Sequence, residues 1–144
     1  MSKKTFEKGK GYIPSWHIPF PSEKVNEHFD KGIPSGTIMQ IQSSSEGSWK
    51  SSVALQLAGE VQKLGHNVAY IDAENAVVWE ESEDGTHRCK WFEQLGVDST
   101  DIFYVKNDFQ EQLFEDIKEL IQEYDVKFVI IDSIPSLEPE KVHN

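Results

Sequence analysis

Four short apolar runs, separated by stretches with helical spacing, constrain the fold of this chain more than any other feature. The runs are "TIMQIQ" at 37–42, "NVAYID" at 67–72, "IFYV" at 102–105 and "VKFVIIDS" at 126–133. After the first, "SSVALQLAGEVQKLG" sets Val53, Leu57, Val61 and Leu64 at helical spacing, and Gly65 stands where such a helix would stop. "RCKWFEQLG" reads as a short helix ending at Gly96. "NDFQEQLFEDIKELIQEY" carries Phe109, Leu113, Ile117, Leu120 and Tyr124 on one stripe, with Asp108 and Glu111 in capping-box spacing. The alternation predicts βαβαβαβ. A run apolar on both faces, such as "FVIID", suits a parallel sheet covered by helices on both sides. The expected class is therefore α/β.

The remaining segments are less regular. Pro14, Pro19 and Pro21 forbid a helix in the stretch before Ser22, which is expected to run extended or turning. A short helix is expected around Ser22–Phe29 with Ser22 as its cap, and "GIPSG" at 32–36 turns the chain into the core. Residues 79–87, acidic and irregular, are read as a loop. His87 and Cys89 are two possible metal ligands, short of a site, and belong to that loop reading.

At 144 residues the chain holds one domain with a real core, and 38% hydrophobic residues with 16 aromatics exclude a disordered segment. No apolar run approaches the ~20 residues needed to span a bilayer. The single cysteine excludes an internal disulfide. Together with an N-terminus that lacks a secretory apolar stretch, these features lead to the expectation of a soluble, cytoplasmic protein with no membrane partner. The net charge of −11 argues against a general nucleic-acid surface. Residues 1–10, with four lysines against Glu7, are read as a solvated terminus, with contact to a phosphate backbone as the alternative.

Ligands of parallel α/β sheets bind at the carboxyl ends of the strands, and the chemistry-bearing residues fall there. "SSSEGSWKSS" at 43–52 lies between an apolar run and a helical pattern, the context of the phosphate-binding pattern G-x-x-x-x-G-K-[ST]. Anchored on Lys50 and Ser51, the pattern has Ser44 and Trp49 in its two glycine positions, with Gly47 inside the loop. Such a loop works through backbone N–H groups and a helix N-terminus, so side-chain identity matters only where φ is positive or the ligand presses on Cβ. Lys50 would reach the β/γ-phosphates, and the Ser51 hydroxyl would ligate Mg²⁺. The competing reading is a helix N-cap beside a surface lysine. Two further strand ends carry carboxylates. Asp132 ends "FVIID", where a nucleotide-hydrolysing enzyme places the carboxylate that holds Mg²⁺ through water, and Glu74 follows "YID", where a carboxylate can accept a proton from, or orient, the attacking water.

In order along the chain, "GIPSGTIMQI", "SSEGSWKSS", "YIDAENA", "WFEQLGVD" and "FVIIDSIPSLEP" resemble the ATPase core of RecA-type recombinases, including the phage UvsX branch, over roughly residues 18–140. The resemblance implies a P-loop fold, a RecA-like parallel sheet flanked by helices, with residues 1–31 an N-terminal extended or helical segment and 32–144 a partial core. Carried over, Ser44, Ser45, Glu46, Gly47, Ser48, Trp49, Lys50, Ser51 and Ser52 form the Walker A loop that binds ATP. Asp132 and Ser51 serve Mg²⁺, Glu74 polarises the attacking water with Lys50 on the phosphates, and Trp91 stacks on adenine. The competing reading of Trp91 is a helix residue packed on the sheet.

The same resemblance implies a homo-oligomeric filament on single-stranded DNA, acting in homologous recombination and DNA repair. It also implies that the family's DNA-binding loops, its γ-phosphate sensor and the strand lying between the Walker A and Walker B strands fall beyond Asn144. A truncated core of this kind is expected to hydrolyse ATP weakly or not at all alone. Two other readings stay open from sequence: an ATPase of another branch, such as a RadA- or KaiC-like module, and a non-catalytic nucleotide-binding or interaction module in which Ser44 and Trp49 mark a decayed loop.

Overall fold

Val68, Ala69, Tyr70 and Ile71 are all buried, which consecutive strand residues achieve only when both faces of the sheet are covered. A computed structural model describes residues 8–44, 49–106 and 109–136 of the chain. It divides into two compact units, Met1–Met39 and Gln40–Asn144.

In the first unit, β1 (His17–Ile18) pairs antiparallel with β2 (Ile33–Pro34). Between them α1 spans Glu23–His28, one residue inside each end of the predicted helix. Ser22 precedes it as expected, but its side chain makes no capping bond; its carbonyl accepts from the Val25 and Asn26 amides instead. Asn26 fixes the entry by exchanging two hydrogen bonds with the Phe20 backbone, each 2.7 Å. Gly32 sits at φ +96°, and a Cβ there would meet the Ile18 carbonyl oxygen at 2.1 Å, so the turn into β2 accepts no other residue without moving.

The second unit is built on a parallel sheet in the order β6-β3-β7, with β3 Asn67–Asp72, β6 Ile102–Lys106 and β7 Val126–Asp132. The helices are α2 (Lys50–Lys63), α3 (Lys90–Gln94) and α4 (Gln110–Gln122). Side chains alternate across a strand, and the two faces divide accordingly. Ala69, Ile71, Phe103, Val105, Val129 and Ile131 pack with Leu113, Ile117 and Leu120 of α4. Tyr70 faces the other way, its ring 5.1 Å from that of Phe92 on α3. The result is the predicted α/β class, a parallel sheet flanked by helices.

Four sequence expectations need correction. Residues 37–42 form no strand, and Ile38 is fully exposed. Strand conformation is held by a neighbour's hydrogen bonds, and among the described residues no strand pairs with this run. Residues 79–87 are not a plain loop: β4 (Glu80–Glu81) and β5 (His87–Arg88) close an antiparallel hairpin, turned at Gly85 with φ +80°. Cys89, next in sequence, is buried at the start of α3, while His87 is exposed. The buried face of α2 is rotated from the predicted stripe, with Leu55, Leu57, Ala58, Gly59 and Val61 buried and Leu64 exposed. In α4 only Leu113 and Leu120 of the stripe are fully buried, with Ile117 packed against them and Phe109 and Tyr124 exposed. The capping-box residue Asp108 lies outside the described residues. Gly65 does end α2, at φ +84°, its amide donating to the Gln62 carbonyl at 2.9 Å.

Two contacts fasten α2 to the turn before β6. The Gln62 side chain donates to the carbonyls of Asp98 and Asp101 and accepts from the Asp98 amide at 2.8 Å. One turn earlier, a Cβ on Gly59 would lie 2.6 Å from the Gly96 carbonyl oxygen. Alanine normally favours a helix over glycine by about 1 kcal/mol, but forcing two backbones apart costs about 1–3 kcal/mol. Gly59→Ala is therefore expected to lower stability, by up to about 2 kcal/mol in urea unfolding. A gain in stability would show that this approach is loose.

Candidate functional site

The C-terminal ends of β3 and β7 lie side by side, with Asp72 and Asp132 in register. Both carboxylates fall on the face that carries Tyr70 and Tyr104, because Tyr70 is two residues before Asp72 and Tyr104 is the register partner of Tyr70. Each acid takes one phenol. Tyr70 donates to Asp132 Oδ2 at 2.5 Å, and Tyr104 donates to Asp72 Oδ2 at 2.7 Å. The two rings lie nearly parallel, with centroids 6.5 Å apart. Burial, followed by the bond to Asp132, holds the Tyr70 hydroxyl well above the ordinary phenol range; burial and the bond to Asp72 do the same for Tyr104. Both phenols are thereby kept as donors.

Asp132 receives a second donor from across the chain. Ser51, in the first turn of α2, donates its hydroxyl to the same Oδ2 at 2.6 Å. Both donors engage Oδ2, and among the described residues neither reaches Oδ1. A hydroxyl and a carboxylate brought together at a helix start are the hard oxygen donors that Mg²⁺ takes, and Mg²⁺ characteristically uses one or two carboxylates with the rest of its shell from water and phosphate. The donor set fits that ion. Among the described residues no three His, Cys, Asp or Glu side chains converge as a self-sufficient metal cage.

Glu74 is two residues beyond β3 and exposed, yet it is held. Ser133 donates to its Oε1 at 2.8 Å and Ser136 at 3.2 Å. Since Ser133 directly follows Asp132, the two carboxylates predicted from sequence stand at one sheet edge, linked through adjacent residues. The loop carrying Glu74 is shaped from below by Asp72, 1% exposed, which accepts from the Ala76 and Val77 amides at 3.4 and 3.2 Å. A buried charge needs such partners.

The structure thus joins Ser51 to Asp132, holds Glu74 on Ser133, the residue after Asp132, and places Lys50, half-buried, as the first residue of α2. Trp49 precedes it in helical conformation, φ −62° and ψ 0°, with its indole 58% exposed. Ser52 lies in the same first turn, and Ser44 is exposed in a bend before it. Ser45, Glu46, Gly47 and Ser48 lie outside the described residues. Trp91 is on α3, partly exposed, its ring 5.8 Å from that of Phe92. An open pocket of about 520 Å³ lies between the β4–β5 hairpin and β6, lined by Trp79, Thr86, His87, Ser99, Thr100, Ile102 and Tyr104, and meets the site only at Tyr104.

Sequence reasoning missed Tyr70, Asp72, Tyr104, Ser133 and Ser136. One signal was available: Tyr70 and Asp72 stand two apart in "YID", which puts a phenol and a carboxylate on one face of a strand.

Residues 28–143 match the family model described as the RecA N-terminal domain, a stretch that contains every residue of this site. The chain belongs to the RecA family. Protein RecA of Azoarcus sp. (strain BH72) is 35% identical over 109 residues, covering 76% of this chain and 28% of that protein. Protein RecA of Malacoplasma penetrans (strain HF-2) is 34% identical over 109 residues, 76% of this chain and 30% of that protein. For Campylobacter fetus subsp. fetus (strain 82-40) the identity is 32%, with 76% and 28% covered. The chain thus spans less than a third of the length of these RecA relatives. Among the described residues no helix is long and apolar enough to cross a membrane.

Proposed function

We propose that this chain is the ATP-binding part of a recombinase of the RecA family, with ATP·Mg²⁺ seated at the start of α2. The observation that carries the reading is the 2.6 Å bond from Ser51 to Asp132, which joins the helix start to the strand-end carboxylate. Phosphates would lie against the first turn of α2, where free N–H groups and the positive end of the helix dipole point outward. Lys50 would pair with the β/γ-phosphates. Ser51 and Asp132 would hold Mg²⁺, which supplies charge neutralisation on the phosphates when bound. Glu74, oriented by Ser133 and Ser136 on Oε1, would take a proton from the water that attacks the γ-phosphate, and ADP would leave. Trp91 is assigned to the adenine.

On this reading residues 32–144 supply the ATPase core and 1–31 an extension. The complete assembly would be a filament on single-stranded DNA that performs homologous recombination and repair. Trp49, an aromatic directly before the lysine, favours the phage UvsX-like branch.

The test is equilibrium binding of a fluorescent ATP analogue to the chain, with and without Mg²⁺. Binding is expected to be tighter with Mg²⁺, and Lys50→Ala to weaken it at least tenfold, since a charge-assisted contact is lost at roughly 1.5–3 kcal/mol. A Lys50→Ala protein that binds as well as the parent would remove the nucleotide from this site.

A further inference from the structure

Asp132 is held by one donor that the proposed Mg²⁺ would engage and by one that it would not. Ser51 belongs to the first kind. Its hydroxyl oxygen would be drawn toward the metal, and its bond to Oδ2 would be redirected. Tyr70 belongs to the second. Its hydroxyl reaches Oδ2 from within β3, and the residue is only 1% exposed. The ring is clamped by Phe92 at 5.1 Å and faces Tyr104 at 6.5 Å, so the hydroxyl has little freedom to follow the carboxylate if it turned. A second, parallel pair, Tyr104 on Asp72, occupies the neighbouring strand position.

We propose that Tyr70 is a positioning residue for the metal: by fixing Oδ2 of Asp132 from inside the sheet, it aims Oδ1 at the nucleotide-bound Mg²⁺. This rests on the ATP·Mg²⁺ reading of the site. The energetic reason is geometric. A carboxylate held by Ser51 alone would lose its orientation when Ser51 turns to the metal, and each ion bound would have to restore it. A second donor outside the metal's reach supplies that order beforehand. Outer-shell partners of this kind typically carry 10–100-fold of metal affinity.

Tyr70→Phe removes the hydroxyl and keeps the ring, so the aromatic packing persists. The fluorescent ATP analogue is titrated onto parent and variant at a series of Mg²⁺ concentrations and in EDTA, with the unfolding midpoint of each protein measured without nucleotide. The expected result is a Mg²⁺ midpoint raised about tenfold in the variant, with metal-free affinity unchanged. An unshifted Mg²⁺ midpoint overturns the proposal. So does an equal loss of affinity with and without Mg²⁺, accompanied by a lowered unfolding midpoint, which would make Tyr70 a packing residue only. If the parent itself binds no analogue at any Mg²⁺ concentration, the ATP reading fails, and the role of Tyr70 fails with it.

Discussion

Glu74→Gln is expected, in the complete assembly, to cut single-turnover ATP hydrolysis by about 10²–10⁴-fold, the range that a positioned general base contributes, while binding of the ATP analogue changes little. The substitution is nearly isosteric. It keeps an oxygen that can accept from Ser133 and Ser136, so the loop beyond β3 should stay in place. What it removes is the capacity to take a proton from water. Binding survives because the groups assigned to the phosphates and the metal sit on α2 and β7, not on this loop. Single turnover, with protein in excess over labelled ATP, is the suitable measurement because it reads slow rates directly. An unchanged rate in the variant would take the base away from Glu74 and leave it as an anchor for the serines alone.

Phe92→Ala should be the most damaging substitution for the fold, at about 3–5 kcal/mol. Phe92 is fully buried on α3, with ring centroids 5.1 Å from Tyr70, 5.6 Å from Trp79 and 5.8 Å from Trp91. Removing it opens a void beneath the helix and strips three aromatic rings of their neighbour. Domains of this size have about 5–15 kcal/mol in total, so the loss takes a large share of that margin. Urea unfolding followed by tryptophan fluorescence measures it directly. A cost below about 1 kcal/mol would mean that the cluster is not packed as described.

Much of the architecture was readable because it depends on local pattern. "NVAYID" became β3, "IFYV" the first four residues of β6, and "VKFVIID" β7, since continuous apolar runs between helical stretches have few alternatives in a covered parallel sheet. The placement of Lys50 and Ser51 at a helix start, and of Asp132 at and Glu74 just beyond strand ends, was readable for a related reason: strand ends and helix starts are where such a sheet displays polar groups. What could not be read depends on which strands become neighbours. Residues 37–42 have the composition of a strand, but composition supplies no hydrogen-bonding partner. Tyr70 and Tyr104 look like ordinary core aromatics until the order β6-β3-β7 brings Asp132 beside one and Asp72 beside the other. The hairpin at 80–88 was hidden by its acidity. Its four acids are exposed, and the pairing is made by backbone.

Ser51 and Asp132 are 81 positions apart and share one short bond, so the span between them, with α2, β3, α3, β6 and α4 inside it, is closed like a purse at its mouth. Fraying of the helix start would release the strand-end acid, and slippage of the strand would free the helix start. A chain tied in this way tends to surrender its reactive groups all at once in a cooperative opening, and a half-assembled centre that retains one and loses the other has little place to exist.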